Sequence, residues 1–283
     1  MEQWLVGDIR ITRVVDFMQD IDLAFLIPEA TAENLAPMES WLKPHFLNRD
    51  GSVPLSFHTF VVQDGEQTIL VDTCIGNDKP RDLPDWNLRQ GDFLNAIAAV
   101  GAPRESVDVV LCTHLHVDHV GWNTMLHNDQ WVPTFPNARY LFGREEWAFW
   151  ENETDPFGAE AKTDSILPII NSELVELVEV DHVVSSGVCL LPTPGHTPGH
   201  VSVLVESEGS RAVITGDLFH HPVQFAKPFW KDIADVDSAV AERTRNQFMA
   251  QFSDATLVLG THFASPTAGH IHKGSNGFWF RVS

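Results

Sequence analysis

Between Thr113 and Gly121 the chain reads Thr-His-Leu-His-Val-Asp-His-Val-Gly, which places His114, His116, Asp118 and His119 in one short run. Neutral imidazole and carboxylate are the ligands zinc favours outside thiolate sites. An extended backbone sends His114 and His116 to the same side, because side chains alternate along a strand. Three later segments end in the same chemistry. Leu-Pro-Thr-Pro-Gly-His-Thr-Pro-Gly-His over 191–200 is a stiff loop presenting His196, Ala212 to Asp217 ends in Gly-Asp, and Leu257 to His262 ends in Thr-His. The first run alone has enough ligands for two cations. A zinc-bound water has a pKa of about 7, so hydroxide becomes available at neutral pH. Such a site predicts metal-assisted hydrolysis at a carbonyl or phosphoryl centre.

Each of these ligands must be delivered by an element, and each follows an apolar run. Val107 to Cys112, Val188 to Leu191, Ala212 to Thr215 and Leu257 to Leu259 read as strands. In layered α/β proteins, chemistry gathers at the carboxyl ends of strands. Elsewhere, residues 5–17 read as one strand and 18–50 as irregular. Residues 57–62 and 68–72 read as paired strands around Asp64-Gly65, and 91–100 as a helix stopped by Gly101 and Pro103. A strand over 138–142, helices over 144–150, 165–177 and 237–252, strands over 178–184 and 201–206, and a last clear strand over 256–261 complete the reading. The expected class is α/β, with the 283 residues forming one domain, 1–283, because the ligands span 114 to 262.

Composition narrows the function. The formal net charge is −21, from 18 Lys plus Arg against 39 Asp plus Glu, so a phosphate backbone is repelled and nucleic-acid processing is not expected. Cys74, Cys112 and Cys189 are far apart and sit in or beside apolar runs, which predicts buried thiols in a reducing compartment. The first residues, Met-Glu-Gln-Trp-Leu-Val-Gly-Asp-Ile-Arg, lack a basic segment leading into an apolar stretch. The expectation is a cytoplasmic protein with no membrane partner.

The motifs His-Leu-His-Val-Asp-His, Thr-Pro-Gly-His-Thr-Pro-Gly-His, Thr-Gly-Asp and Gly-Thr-His occur in the order that resembles the metallo-β-lactamase fold superfamily. Thr68 to Gly76 also resembles that family's early strand and turn, so the resemblance runs from about Ser56 to about His272. It implies a four-layer αβ/βα sandwich with the metals at one edge. Carried over by position, it implies a first metal held by His114, His116 and His196, a second held by Asp118, His119 and His262, and Asp217 bridging them. Two divalent ions are implied, zinc first among them for an imidazole-rich set. The superfamily's diiron branch resembles the chain less, because it usually has Glu where His116 stands.

Within the superfamily, Gly-Asp-Leu-Phe-His-His-Pro-Val-Gln over 216–224 and the ending from His262 to Ile271 look more like the quorum-quenching lactonase and methyl parathion hydrolase branch. Quorum-quenching lactonases often carry Tyr three residues after the bridging Asp. Here His220 stands there, as it does in the methyl parathion hydrolase relatives. The implied activity is opening of N-acyl-homoserine-type lactones or cleavage of aryl esters, with promiscuity toward organophosphate triesters. Asp118 is the candidate for orienting hydroxide and passing its proton to the leaving alkoxide. His220 is either a hydrogen-bond donor to the substrate oxygen or a support for Asp217, and both readings stand at this stage. His200 and His270 are expected to brace the ligand loops. Nine Trp and 18 Phe against one Tyr suit an apolar pocket, with Trp86, Trp122, Phe219, Phe225, Phe229 and Trp230 either walls or core. Segment 18–50 is expected to wall the pocket or to contact a second subunit in a homodimer. Two alternatives are kept: a glyoxalase-II-like thioester hydrolase, against which the scarcity of Lys and Arg counts, and a metal-binding sensor on the same fold.

Overall fold

Alternation along the strands sorts the apolar residues into three separate cores, and those cores define the layers. The protein is described here by a computed structural model covering residues 2–152, 161–253, 255–275 and 277–283. One sheet contains β1 (Gln3–Val6), β2 (Ile9–Ile21), β3 (Val53–Asp64), β4 (Gln67–Val71), β5 (Val109–Leu111), β8 (Arg139–Gly143) and β9 (Val175–Val178), hydrogen-bonded in that order. A hairpin of β6 (Thr124–His127) and β7 (Gln130–Pro133) stands apart. The second sheet runs β10 (Val188–Pro192), β11 (Val201–Ser207), β12 (Ser210–Ile214), β13 (Leu257–Leu259), β14 (Ala268–Gly274) and β15 (Gly277–Val282).

Successive residues of a strand point to opposite faces. On β4 and β5, Ile69, Val71, Val109 and Leu111 face inward and meet Val201, Val203, Ala212, Ile214 and Leu259 of the second sheet. Their neighbours Leu70 and Val110 face outward and pack under helix α1 (Phe93–Ala99) and helix α2 (described over Arg144–Asn152), through Phe93, Ile97 and Trp150. On the second sheet, Val213, Val258 and Ile271 face outward toward Phe248, Met249 and Phe252 of helix α3 (Ser238–Phe252). The result is helix, sheet, sheet, helix: the four layers expected. Each fully buried Val, Leu or Ile in these cores contributes about 1.5–3 kcal/mol.

Four local expectations change. Residues 5–17 are a hairpin rather than one strand, because Gly7 takes φ +56 and turns the chain between β1 and β2, and β2 continues to Ile21. The 165–177 helix ends at Ile170, and the strand expected over 178–184 lies instead at Val175–Val178, pairing with β8 in parallel, a choice made by the sheet edge and not by local pattern. The β6–β7 hairpin turns on Asn128 and Asp129, both with positive φ, a turn signal the sequence carried unread. Two strands follow 256–261, so it is not the last.

The segment expected to be irregular over 18–50 gives its first four residues to β2, and the rest folds into short helical turns whose Leu23, Ile27, Leu35, Met38, Leu42 and Phe46 are buried with α3 and the second sheet. Trp122, Phe219 and Phe225 are likewise core: Trp122 stacks on Phe93 with centroids 5.4 Å apart, and Phe219 on Phe225 at 4.1 Å. No helix among the described residues is long and apolar enough to cross a membrane.

Candidate metal centre

The carboxyl ends of β4, β5, β12 and β13 meet at one edge, and each releases a polar residue there: Asp72, His114, Asp217 and His262. The loop between β10 and β11 adds His196. It turns at Gly195 with φ +132, a conformation that favours glycine. The structure brings all seven residues singled out in the sequence together in two sets. His114, His116, His196 and Asp217 form one group, and Asp118, His119 and His262 the other.

The inward atoms are close. His116 offers Nδ1, 2.9 Å from Nε2 of His114 and 2.9 Å from Nε2 of His196. His119 and His262 present Nε2 atoms 3.3 Å apart, and Asp118 Oδ2 lies 3.6 Å from each. Asp217 stands between the sets. Its Oδ2 is 3.6 Å from His114, 3.5 Å from His196 and 3.1 Å from His119, while Oδ1 is 3.1 Å from His262.

Protein groups hold the outer ring nitrogens of most of these histidines. His119 Nδ1 meets Asp72 Oδ2 at 2.9 Å, His196 Nδ1 meets Asp235 Oδ1 at 3.2 Å, His262 Nδ1 meets the Ser56 carbonyl at 3.3 Å and His114 Nδ1 meets Thr113 Oγ1 at 3.1 Å. Partners of this kind fix the tautomer and orientation of a metal-binding histidine. Asp72 is itself held by the Thr113 N–H at 2.7 Å and hydroxyl at 2.9 Å. Asp235 is paired with buried Arg245 at 2.7 Å.

Electrostatics favour a cation here. Burial holds His114 and His196 well below the usual histidine range and His116 at about 4, which keeps these three rings uncharged. Burial also opposes charge on His119, but the carboxylates of Asp217, Asp118 and Asp72 outweigh it and raise that ring well above the usual value. Burial works against ionised Asp217 too, and the surrounding His119, His262, His220 and His114 rings overcome it, holding the carboxyl well below the usual range. Asp217 Oδ1, though 3.1 Å from His262, accepts no hydrogen bond among the described residues. Closely spaced imidazole nitrogens around an unsatisfied buried carboxylate fit divalent cations.

His220 lies on the same edge. Its Nε2 is 3.0 Å from Asp217 Oδ2 and its Nδ1 is 3.1 Å from Asp232 Oδ2. Burial lowers its basicity, but Asp232 and Asp217 prevail and raise the ring to about 9. His200 supports the site as expected: its Nε2 accepts the Asp217 N–H at 2.9 Å and its Nδ1 meets Thr193. His270 does not. It sits on β14 opposite Arg281, with Ser283 Oγ at 3.2 Å from Nδ1, outside the site. His221 braces the Phe46 carbonyl at 2.8 Å.

Sequence reasoning missed four carboxylates: Asp72, Glu146, Asp232 and Asp235. Asp72 could have been found, since it ends an apolar strand as Asp217 does. Glu146 lies on α2 yet is buried, accepting the N–H of Leu115 at 3.1 Å, of Gly199 at 3.1 Å and of the Trp150 indole at 2.7 Å. No local pattern separates it from the adjacent, exposed Glu145.

A family model described as the metallo-beta-lactamase superfamily matches residues 54–277. An N-acyl homoserine lactonase of a Bacillus sp. is 34% identical over 141 residues, which are 47% of this chain and 50% of the relative. One from Bacillus cereus is 29% identical over 189 residues, 59% of this chain and 68% of the relative. The chain thus spans about half the length of the first of these relatives. Among solved structures, AidC, a dizinc quorum-quenching lactonase with a bound product, has a TM-score of 0.80 at 22% identity, over 100% of this chain and 97% of the other. The hydrolase AbOPH, of the beta lactamase superfamily, has a TM-score of 0.81 at 25% identity, over 99% and 96%.

Proposed function

The chain belongs to the metallo-beta-lactamase superfamily, and from that premise we propose that it is a metal-dependent hydrolase that opens lactones or cleaves carboxylic esters. N-acyl-homoserine lactones are the preferred class, supported by the lactonase relatives. One observation carries the reading: two sets of inward ligand atoms share Asp217. We read the seven residues His114, His116, Asp118, His119, His196, Asp217 and His262 as holding two divalent cations, zinc by preference. When bound, such ions polarise the substrate carbonyl and make water nucleophilic at neutral pH.

The chain's own residues supply the rest. Asp118 is the most exposed of the ligand carboxylates, with 13% of its side chain accessible, and so faces the substrate side. It takes a proton from the attacking water and hands it to the leaving alkoxide. His220 sets Nε2 3.0 Å from Asp217 Oδ2, at the junction of the two ligand sets, and in this reading it donates a hydrogen bond to the oxygen on which charge develops. Trp86, half-buried and edge-on to the core residue Phe57 at 5.2 Å between ring centroids, is read as an apolar wall for an acyl chain. Hydrolysis of aryl phosphotriesters as a side activity, action as one domain, and a cytoplasmic homodimer belong to the same reading. Phe25 and Met18, 66% and 42% accessible on segment 18–50, are apolar side chains available to a second subunit.

The test is a panel of acyl lactones, aryl esters, thioesters and phosphotriesters with the zinc-loaded protein. Lactone turnover lost in Asp217→Ala together with bound metal is the expected result. Turnover of thioesters alone would replace the reading with the glyoxalase-II-like one, and metal binding without turnover of any class would leave a sensor.

A further inference from the structure

One tight turn carries two of the carboxylates that touch site histidines. Between Lys231 and Asp237 the chain bends so that the Asp235 N–H bonds the Asp232 carbonyl at 3.2 Å and the Ala234 N–H bonds Asp232 Oδ1 at 2.8 Å. The turn is tied to its surroundings on both sides. The Ile233 N–H reaches the Leu26 carbonyl at 2.9 Å, and the N–H groups of Val236 and Asp237 reach the carbonyls of His196 and Gly195, each at 2.9 Å. Asp235 points to His196, and Asp232 to His220.

We propose that Asp232 is a positioning residue for His220, aiming its Nε2 into the space shared by the two ligand sets. The Asp232 side chain is fully buried, and its Oδ1 is engaged by the turn, so Oδ2 is left for the ring. Oδ2 and His220 Nδ1 stand 3.1 Å apart, out of line for a good hydrogen bond, and neither has another hydrogen-bond partner among the described residues. Leaving either atom alone in a buried site is costly. Each atom is the other's available partner, so the pair favours the ring rotation that brings them together. In that rotation Nε2 faces Asp217 Oδ2 at 3.0 Å, and the ring lies parallel to His262, 3° between planes at 5.4 Å, and 4.9 Å from His196. The same turn thus sets both rings relative to one another.

This inference rests on the donor role proposed for His220, and the experiment separates the two. Asp232→Asn is the informative variant. Its amide oxygen still accepts the Ala234 N–H, preserving the turn, while its NH2 replaces Oδ2 and opposes the ring N–H. On the zinc-loaded protein, Asp232→Asn and His220→Ala should each lower kcat by about 10²-fold, within the range of one acid–base or donor group. KM should stay within about 3-fold, zinc content should be unchanged, and the double variant should be no worse than either single one, because the two act as one unit. A His220→Ala variant with full kcat would overturn the role of His220 itself. If His220→Ala falls but Asp232→Asn keeps its kcat, loses zinc, or multiplies its loss with that of His220→Ala, the positioning role is wrong while the donor role stands.

Discussion

Asp72 grips His119 by Nδ1 at 2.9 Å and leaves only Nε2 for the inside of the site. Asp72 has φ +59, unusual for a non-glycine residue, and its two oxygens are held by Thr113. Such a supporting carboxylate is worth about 10–100-fold in metal affinity. Asp72→Ala should therefore weaken the second of two zinc equivalents by that factor and leave the first nearly unchanged. Competition titration with a chromophoric chelator reads both steps. Equal weakening of the two would refute a role for Asp72 confined to His119.

Glu146 joins the two histidine loops by accepting N–H groups from Leu115 in one and Gly199 in the other. Burial raises its carboxyl above the usual range, and the donors around it pull back toward ionisation. Glu146→Ala strands these donors at about 1–3 kcal/mol each. The variant should unfold at markedly lower denaturant concentration and, where still folded, bind zinc less tightly. Gly199→Ala should act in the same direction, because a Cβ there would run into the Glu146 backbone. Equilibrium unfolding with and without zinc checks both, and wild-type behaviour in either case would refute the strut.

Lys79 lies away from the metal centre with no exposed side-chain surface, against Thr124 at 2.8 Å, Asp164 at 3.5 Å and the Trp131 ring at 3.8 Å. Asp164 is more closely paired with Arg81, at 2.7 Å. Burial lowers the ammonium pKa from 10.5 to about 7, and Asp164 only partly offsets this. The sign follows from proton linkage. Below pH 7 both folded and unfolded chains carry the charge, so the folded state bears the full cost of burying it. Between pH 7 and 10.5 the unfolded chain binds more protons, so this cost fades as pH rises. Lys79→Met should stabilise the protein at pH 6 by removing that cost, since Asp164 keeps Arg81 as its partner, with the gain shrinking toward pH 10. Thermal melts at the two pH values decide it, and a gain that grows with pH would contradict the assignment.

Trp86 is half-buried, and its indole N–H is held by Gln19 Oε1 at 3.1 Å, which keeps the ring edge-on against Phe57. If this wall covers the acyl chain, Trp86→Ala uncovers one or two methylenes at about 0.8 kcal/mol each. KM should rise roughly 4–15-fold for a long-chain acyl lactone and stay level for a short one. Steady-state kinetics across chain lengths tests this, and a uniform rise would place the wall elsewhere.

Much of the site was legible before any fold was known, because strand ends are marked locally. Apolar β-branched runs followed by His114, Asp217 and His262 show themselves by residue type alone, and the Pro/Gly loop around His196 needs no tertiary information. The sandwich followed from family resemblance, and the burial of alternate residues on β4, β5 and β12 supplied its physical basis. Less legible were choices made by neighbours. Val175–Val178 became a strand because β8 offered an open edge, and Gly7 divided one alternating run into two strands.

The sequence by itself determined which atoms could bind cations and roughly where the chain would present them, since ligand chemistry and strand alternation are properties of a residue and its near neighbours. Tertiary structure decided which carboxylates orient those ligands. Asp72, Glu146 and Asp235 hold the ligands and their loops through contacts 31 to 53 positions away in the chain, such as Gly199 with Glu146 and His119 with Asp72. A buried carboxylate differs from a solvated one only in its surroundings, and those exist only after the four layers have closed.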